Sequence, residues 1–303
     1  MKIAMIGLGR MGGNMALRLL RGGQQVVAYN RTFAKARALE NDGAMAVERL
    51  EQVADALETP RVLWLMLPAG KAVDEHLQRL VPTLQQGDIV VEGGNSFWRD
   101  DLRRAEFCSQ NGVRYLDAGV SGGIWGLENG YCMMLGGDHD AYEHLRPLLD
   151  TLAPPAGHMY CGPVGAGHFV KMVHNGIEYG MMQAYAEGFE LLDASPYAAG
   201  LDYAELSQLW NRGSVVRSWL LELLEQVFAQ DGQLEQLEAF VDDSGEGRWT
   251  VQQAIESAVP AEVLTIALMR RFRSRQASSF SDRLLAALRN AFGGHAVVSS
   301  KEK

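Results

Sequence analysis

The stretch "KIAMIGLGRMGGNMALRLL", residues 2–20, decides the fold of this chain. Residues 2–6 are mostly apolar and predict a short strand, and the turn Gly7-x-Gly9-x-x-Gly12 then opens a helix. The glycines permit a tight turn and close approach of the backbone to a ligand, while the helix N-terminus favours a bound pyrophosphate. A second strand follows within "QQVVAYNRT". The chain therefore begins as a β–turn–α–β unit of the dinucleotide-binding kind.

The alternation of strands and helices continues to about residue 160 and then gives way to helices. Further strands are predicted at 61–67, 88–94, 114–120, 131–135 and 158–161, with helices at 32–41, 71–86, 99–111 and 138–152. A long helix fits 162–192, and others fit 202–229 (as one helix or two), 249–258, 260–275 and 279–292, with a loop in 229–250. We therefore predict an α/β Rossmann-type parallel-sheet domain over 1–162. An all-α domain over 163–303 follows, beginning with the long interdomain helix.

Composition limits the function classes. The 303 residues carry a formal net charge of −9, which argues against a nucleic-acid partner and requires local cations wherever an anion binds. No apolar run reaches membrane-spanning length and the N-terminal residues do not read as a signal peptide, so we expect a cytoplasmic protein without a membrane partner. Cys108, Cys132 and Cys161 have no metal-binding spacing, and we predict structural thiols and no metal.

The end of the second strand bears on the cofactor. An NAD-binding unit usually places an acid there to hold the ribose 2′-hydroxyl, but this chain has Tyr29-Asn30-Arg31-Thr32. Arginine can form a bidentate contact with a 2′-phosphate, so we predict NADP, with NAD possible. A solvated arginine at a helix start is the alternative. The predicted cofactor-binding residues are Gly7, Leu8, Gly9, Arg10, Met11, Gly12, Asn30, Arg31, Thr32 and Asn95.

Two more glycine turns end predicted strands, in "VEGGNS" (91–96) and "VSGG" (120–123). The carboxyl ends of strands in an open parallel sheet form the ligand crevice, where paired glycines let a ligand touch backbone. Asn95 and Ser121 add polar side chains. Each dipeptide alone could be a plain turn, but together with the dinucleotide turn they favour a binding site.

The long predicted helix carries a polar stripe in "KMVHNGIEYG", residues 171–180. Lys171, His174, Asn175 and Glu178 have the i, i+3, i+4, i+7 spacing of one helix face, among apolar neighbours that predict a buried helix. Buried ionisable groups are costly unless they are paired or functional. Lys171 and Glu178 lie about 10 Å apart along the axis, so a base and an acid could act at two ends of a small substrate. A self-contained polar network is the alternative.

These motifs, together with "DAGVSGG", "GRWT" and "FGGH", resemble those of the decarboxylating 6-phosphogluconate dehydrogenases in the β-hydroxyacid dehydrogenase superfamily. The length is similar to that of the family's shorter form. The resemblance implies that Lys171 is the base that takes the proton from the C3 hydroxyl while hydride passes to the nicotinamide. After CO2 leaves, Glu178 would protonate C1 of the enediol and give ribulose 5-phosphate, as in the pentose phosphate pathway.

The resemblance also implies a set of substrate contacts, which are Asn95, Ser121, Gly122, Gly123, His174, Asn175 and Tyr179. Arg271 aligns with a phosphate-binding arginine, although Arg270 is a close rival. Ser244-Gly245-Glu246 replaces a lysine–glycine–threonine stretch of the long form, so that lysine is absent.

Near the C-terminus, Arg289 and His295 keep the family's spacing. The resemblance implies that they reach into the partner subunit's site in an obligate homodimer or larger assembly, and so supply the cations that the net charge makes necessary.

Three other functions remain open. A β-hydroxyacid dehydrogenase of the hydroxyisobutyrate or tartronate semialdehyde type needs the lysine but neither Glu178 nor the arginines at 271 and 289. An imine reductase-like role is disfavoured for the same reason. A non-catalytic NADP-binding sensor or scaffold would need neither Lys171 nor Glu178.

Overall fold

The computed structural model describes residues 1–293 and 296–298, without the side chain of Phe292. The chain forms two compact units, Met1–Asn175 and Gly176–Lys303. The boundary between them, at 175/176, falls inside a long helix. The predicted domain division at 162/163 stays a prediction.

The first unit contains an eight-stranded sheet with helices between its strands. The strands are β1 Lys2–Ile6, β2 Gln25–Tyr29, β3 Met45–Ala46, β4 Val62–Leu65, β5 Ile89–Glu92, β6 Arg114–Ser121, β7 Cys132–Gly137 and β8 His158–Gly162. The helices are α1 Arg10–Arg21, α2 Phe33–Ala38, α3 Gln52–Asp55, α4 Lys71–Leu80, α5 Trp98–Gln110, α6 Gly126–Asn129 and α7 His139–Leu152. Short 3₁₀ turns lie at Leu39–Asp42, Val81–Thr83 and Gly123–Trp125.

The sheet order is β3-β2-β1-β4-β5-β6-β7-β8. Strands β1 to β6 are parallel, and the switch in strand order falls between β1 and β4, where an open sheet forms its ligand crevice. The predicted parallel sheet is confirmed for most of its strands, and one edge adds a feature that was not predicted, because β7 pairs antiparallel with β6. The short connection over 122–131 favours antiparallel pairing, since a parallel neighbour needs a longer crossover.

The central strands are buried on both faces, as expected where helices cover a parallel sheet. Strands β1, β4 and β5 are almost wholly apolar and buried, and two apolar clusters cover the two faces of the sheet. The exception is Glu92 at the end of β5, which has no solvent exposure although its strand is otherwise hydrophobic. This acid belongs to a buried polar network described below.

The second unit is all-helical within the described residues, so the predicted fold class is confirmed. Helix α8 (Ala166–Asp193) contributes residues to both units, and it is followed by α9 Tyr203–Trp210, α10 Trp219–Gln230, α11 Glu246–Glu256, α12 Glu262–Ser274 and α13 Phe280–Gly293, with a 3₁₀ turn at Ala198–Gly200. The segment predicted as helical over 202–229 is two helices, because Ser218 caps a new one by accepting a hydrogen bond from the Leu221 amide at 3.2 Å. In the part of the chain that the structure describes, every helix is too short or too polar to span a bilayer.

Burial along α8 differs from the expectation of an all-round buried helix. Lys171 is 7% exposed and Asn175 is 9% exposed, whereas apolar side chains such as Ile177 (52%) and Met182 (41%) are open to solvent in the single chain. The interpretation of the apolar residues as buried was therefore wrong for Val170, Ile177, Met181 and Met182, although Met172 is buried. In the polar stripe, Lys171 and Asn175 are buried and the other two residues are partly buried.

Candidate active site

The glycine turn after β1 is held in place by the end of β2. The Gly7 amide donates to the Tyr29 carbonyl at 2.9 Å, and the Leu8 amide donates to Asn30 Oδ1 at 2.9 Å. The Asn30 amide nitrogen in turn donates to the Thr32 carbonyl at 3.1 Å. Asn30 thus braces the turn, a structural role that the sequence prediction of a cofactor contact did not anticipate.

The three glycines of the turn differ in the reason why a larger residue would not fit. Gly7 has φ +95°, and a Cβ there would lie 2.4 Å from the Met66 carbonyl oxygen, while a Cβ on Gly12 would lie 2.1 Å from the Gly7 carbonyl oxygen. A Cβ on Gly9 would meet no atom within 4 Å. The fold explains Gly7 and Gly12. Open space above Gly9, at the start of α1, fits the close approach of a pyrophosphate to the backbone.

The strand end that faces a ribose in this class of fold holds Arg31 and Thr32, both exposed. Arg31 makes no ion pair with any residue that the structure describes. Its side chain can therefore reach a ligand without first breaking a salt bridge. The residues present fit a dinucleotide cofactor.

The loop after β6 carries Ser121, Gly122 and Gly123 and is tied to helix α1. Asn14 donates to the Ile124 carbonyl at 3.2 Å, and Arg18 Nη1 donates to the Leu127 carbonyl at 2.9 Å. Arg21 forms a 3.1 Å ion pair with Glu128 one turn further along α1. The predicted substrate turn and the dinucleotide helix are thus fastened together, by side chains that sequence reasoning missed.

Close glycine contacts place the start of α8 directly on the sheet. A Cβ on Gly119 of β6 would lie 2.3 Å from Lys171 Cβ and 2.9 Å from the Gly167 carbonyl oxygen. A Cβ on Gly167 would lie 2.5 Å from the Met134 carbonyl oxygen of β7. Only glycines allow this approach, and it is the reason that Lys171 is buried while several apolar residues further along the helix stay exposed.

Three residues of the stripe form one hydrogen-bonded group. Lys171 Nζ donates to Asn175 Oδ1 at 2.6 Å and lies 3.3 Å from His174 Nδ1, and the same ring nitrogen lies 3.1 Å from Asn175 Oδ1. The group holds the amine in one orientation. A buried, oriented amine can exchange a proton with a hydroxyl group brought beside it.

Asn95 lies elsewhere in the same unit, just beyond the end of β5. Its side chain is exposed and has no hydrogen-bond partner among the described residues, so it is available to a ligand. Strands β5 and β6 are neighbours, with Glu92 paired in register with Asp117. The turns that carry Asn95 and Ser121 therefore follow adjacent strands of the sheet.

A buried polar network beneath these turns was not predicted. Asp117 of β6 accepts hydrogen bonds from the Gly165 amide at 2.6 Å and the His168 amide at 2.8 Å, and so caps the start of α8. Burial raises the pKa of Asp117, and the neighbouring carboxylate of Asp101 adds to the rise. Burial also raises the pKa of Glu92. A sequence signal existed in the acid of "YLDAG" inside an otherwise apolar strand.

In the second unit, Tyr179 and Arg271 come together with Ser244. The Arg271 guanidinium lies 3.6 Å from the centroid of the Tyr179 ring and donates to the Asp242 carbonyl at 2.8 Å. The Tyr179 hydroxyl accepts from the Ser244 amide at 3.1 Å and lies 3.3 Å from its Oγ. No carboxylate of the described residues pairs with Arg271. By contrast, Arg270 is exposed and makes none of these contacts.

Glu246, predicted to repel a phosphate if it pointed toward the site, is buried in the second unit. Glu246 is 1% exposed, and neither of its carboxylate oxygens has a hydrogen-bond partner in the described part of the chain. It stands at the start of α11, where the helix dipole favours a negative charge. Its carboxylate is therefore enclosed rather than presented to a ligand.

Glu178 follows Lys171 by seven residues on α8 and is partly buried. Arg289 lies on α13 and is exposed, as are Leu284, Leu285 and Leu288 of the same helix. His295, the second residue predicted to reach a partner subunit, lies outside the described residues. The roles of all three stay predictions.

A dinucleotide-type turn on a mostly parallel sheet, followed by a helix that holds a buried lysine, is the arrangement expected of an NAD(P)-dependent dehydrogenase. A profile described as the NAD binding domain of 6-phosphogluconate dehydrogenase matches residues 2–162. A second, described as the 6-phosphogluconate dehydrogenase C-terminal domain, matches residues 167–303. The chain belongs to the 6-phosphogluconate dehydrogenase family, which confirms the resemblance drawn from its motifs.

Individual relatives agree with this assignment. The Bacillus subtilis protein YqeC is 44% identical over 296 residues, which cover 98% of this chain and 99% of that protein. The NAD+-dependent decarboxylating 6-phosphogluconate dehydrogenase of Haloferax volcanii is 44% identical over 300 residues, with the same coverage. The structure of Plasmodium falciparum 6-phosphogluconate dehydrogenase matches with a TM-score of 0.83 and 28% identity, over all of this chain and 67% of that one. The chain is thus a short-form, NAD(P)-dependent decarboxylating member of the family.

Proposed function

We propose that this protein oxidises 6-phosphogluconate at C3 and releases C1 as CO2, leaving ribulose 5-phosphate. Lys171 takes the proton from the C3 hydroxyl as hydride passes to the nicotinamide. Glu178 then returns a proton to C1 of the enediol. The observation that supports this most is the burial of Lys171 and Asn175 in one hydrogen-bonded group on a helix whose other face is apolar and exposed.

The phosphate of the substrate binds in the second unit, at Tyr179, Ser244 and Arg271. The aromatic ring and the Asp242 carbonyl orient the Arg271 guanidinium, whose remaining donors suit a phosphate. Arg270 lacks that support, which favours Arg271 between the two. His174, Asn175, Asn95 and the turn at 121–123 hold the sugar acid.

The cofactor is NADP, with Arg31 on its 2′-phosphate. The names of relatives leave this preference open, since the Haloferax protein is named as NAD+-dependent and the Plasmodium structures include NADP+. Arg31→Ala should raise the KM for NADP by about 10- to 150-fold, since a charge-assisted contact contributes about 1.5–3 kcal/mol, while the KM for NAD stays unchanged. Arg37→Ala, an exposed arginine of the following helix, is the control. Equal losses with both cofactors would remove the argument for NADP.

The chain functions in the cytoplasm as a homodimer or larger assembly, with Arg289 and His295 of each subunit serving the partner's site. Support comes from α13, where apolar residues and Arg289 are all open to solvent in the single chain. A mixture of inactive Lys171→Ala and Arg289→Ala chains tests this. Random reassociation should restore about a quarter of wild-type activity, because one of the two sites in each mixed dimer is intact. A mixture no more active than its components would contradict shared sites.

The decisive assay supplies 6-phosphogluconate with NADP or NAD and follows reduced cofactor and CO2 together. Lys171→Met should lower kcat by about 10²- to 10⁴-fold, as expected on removal of a general base. Lys71→Met, at an exposed lysine of α4, is the matched control. Reduction without CO2 would overturn the decarboxylating assignment. Turnover of 3-hydroxyisobutyrate in place of 6-phosphogluconate would favour the other β-hydroxyacid dehydrogenases.

A further inference from the structure

The backbone of Gly94 is held on both sides by buried ionisable side chains. Its amide donates to Glu92 Oε1 at 2.8 Å, and its carbonyl oxygen accepts a hydrogen bond from His168 Nε2 at 3.0 Å. Glu92 has no solvent exposure and His168 has 2%. Gly94 directly precedes Asn95, so these two bonds fix the position from which the exposed Asn95 side chain leaves the turn.

His168 donates from both ring nitrogens. A carbonyl oxygen can only accept, which requires a proton on Nε2, and Nδ1 faces Asp101 Oδ2 at 2.7 Å. The other oxygen of Asp101 already accepts a hydrogen bond from the Tyr115 hydroxyl at 2.7 Å. Burial opposes the charged ring, but Asp101 and then Glu92 and Asp117 outweigh that cost and raise the pKa of His168 to about 10. The side chain is therefore an imidazolium at neutral pH.

The same residue belongs to the first turn of α8. Its backbone amide donates to Asp117 Oδ2 at 2.8 Å, and Lys171 follows it by three residues on the same helix face. His168 thus touches the turn of β5 with its ring and the cap of α8 with its backbone. It therefore connects the turn of β5 to the helix that carries the proposed base.

We propose that His168 is a positioning residue for the reaction, holding the turn that carries Asn95 against the start of the helix that carries Lys171. The inference rests on the proposed roles of Asn95 and Lys171. It assigns a function to a buried histidine, and it explains why the surrounding acids are buried where they would otherwise be costly.

A metal ion is the rival occupant of this cluster, since ligand atoms of Glu92, Asp101 and His168 lie within 4.8 Å of one another. Two observations oppose it. Both imidazole nitrogens already donate hydrogen bonds, which leaves no lone pair for a metal. The Arg104 guanidinium also lies 3.6 Å from Glu92 Oε2, so the cluster already has a second cation.

Two variants separate positioning from simple stability. His168→Gln places an amide nitrogen near Nε2 and can keep the bond to Gly94, whereas His168→Asn places one near Nδ1 and can keep only the bond to Asp101. Both remove the same charge and should lower the Tm alike. We expect His168→Asn to lower kcat by ~10- to 100-fold per folded molecule, since a small misplacement has effects of this size. The KM for 6-phosphogluconate should change far less, and His168→Gln should stay within about threefold of wild type.

His76→Gln is the matched control, because His76 lies on α4 away from this network, with Nδ1 2.7 Å from the Ala72 carbonyl of its own helix and its ring edge-on to Tyr29. Equal kcat values for the two His168 variants would overturn the proposal. If neither folds, ¹⁵N-histidine spectra of the wild-type protein decide, since a His168 ring without a proton on Nε2 at pH 7 could not hold the Gly94 carbonyl and would also overturn the proposal. A wild-type enzyme that fails to decarboxylate 6-phosphogluconate would instead refute the proposed function. The spectra distinguish this failure from the failure of the positioning proposal, because they report the His168 ring independently of activity.

Discussion

Gly119→Ala is the substitution that most directly tests how the sheet positions Lys171. The added Cβ would lie 2.3 Å from Lys171 Cβ and 2.9 Å from the Gly167 carbonyl oxygen. Because ordinary carbon contacts need about 3.5–4.0 Å, α8 must move away from β6 by about 1 Å or more. Overpacking of this kind costs about 1–3 kcal/mol of unfolding free energy. A 1 Å displacement of a catalytic group can lower the rate by about 100-fold.

The assay measures kcat and KM with 6-phosphogluconate, together with the Tm of the same preparation. Gly188→Ala is the matched control on the same helix, because a Cβ there meets no atom within 4 Å. It should keep wild-type kcat and gain about 0.5–1 kcal/mol in stability from helix propensity.

We expect Gly119→Ala to stay folded, with a Tm lower by roughly 2–10 °C and kcat lower by ~10- to 100-fold. A folded Gly119→Ala enzyme with wild-type kcat would refute the reasoning that glycine contacts set the position of Lys171. A loss of kcat in Gly188→Ala of similar size would show that any change in α8 disturbs activity, and the contact with β6 would lose its special role.

Three further predictions follow from other parts of the structure. Gly9→Ala should keep the wild-type Tm but weaken cofactor binding, measured by calorimetry, whereas Gly12→Ala should lose stability by about 1–3 kcal/mol because its Cβ meets backbone at 2.1 Å. Tyr179→Phe should raise the KM for 6-phosphogluconate about fivefold through loss of about 1 kcal/mol of hydrogen bonding, with kcat nearly unchanged; an unchanged KM would remove Tyr179 from the phosphate site. The folded pKa of His168 is raised from 6.5 to about 10, so its contribution to stability is complete below pH 6.5 and is lost as the pH rises towards 10. The Tm should fall over this range in thermal scans, and less steeply in His168→Gln; parallel curves would contradict the buried charge.

The raised pKa values of Glu92 and Asp117 act in the same direction as that of His168. Each group binds more protons in the folded chain than in the unfolded chain above its unfolded pKa, so a rise in pH destabilises the fold through all three. The loss of stability from Glu92 and Asp117 begins above their ordinary acidic pKa values, whereas the loss from His168 begins above pH 6.5, so His168→Gln should flatten the curve on the alkaline side.

The sequence predicted the parts of the fold that depend on neighbouring residues. The glycine turn, the first two strands and the position of the long helix follow from patterns that repeat every two to four residues. The same local spacing put Lys171, His174 and Asn175 on one face, and the structure has them hydrogen-bonded together. The pattern was misleading for Ile177 and Met182, because apolar periodicity shows which residues avoid water but not which face of a helix meets the sheet.

The sequence by itself determined the family, the mostly parallel sheet and the polar stripe, because each is encoded in short contiguous motifs. Only the tertiary structure decided the antiparallel edge at β7 and the network around His168. The bonds of His168 to Asp117, Asp101 and Gly94 join residues 51, 67 and 74 positions apart in the chain. The spacing of residue types along a short stretch of sequence cannot identify such distant partners. The packing of α8 on the sheet, made possible by glycines on both sides, brings these residues together and buries the side chains of His168, Asp101 and Asp117.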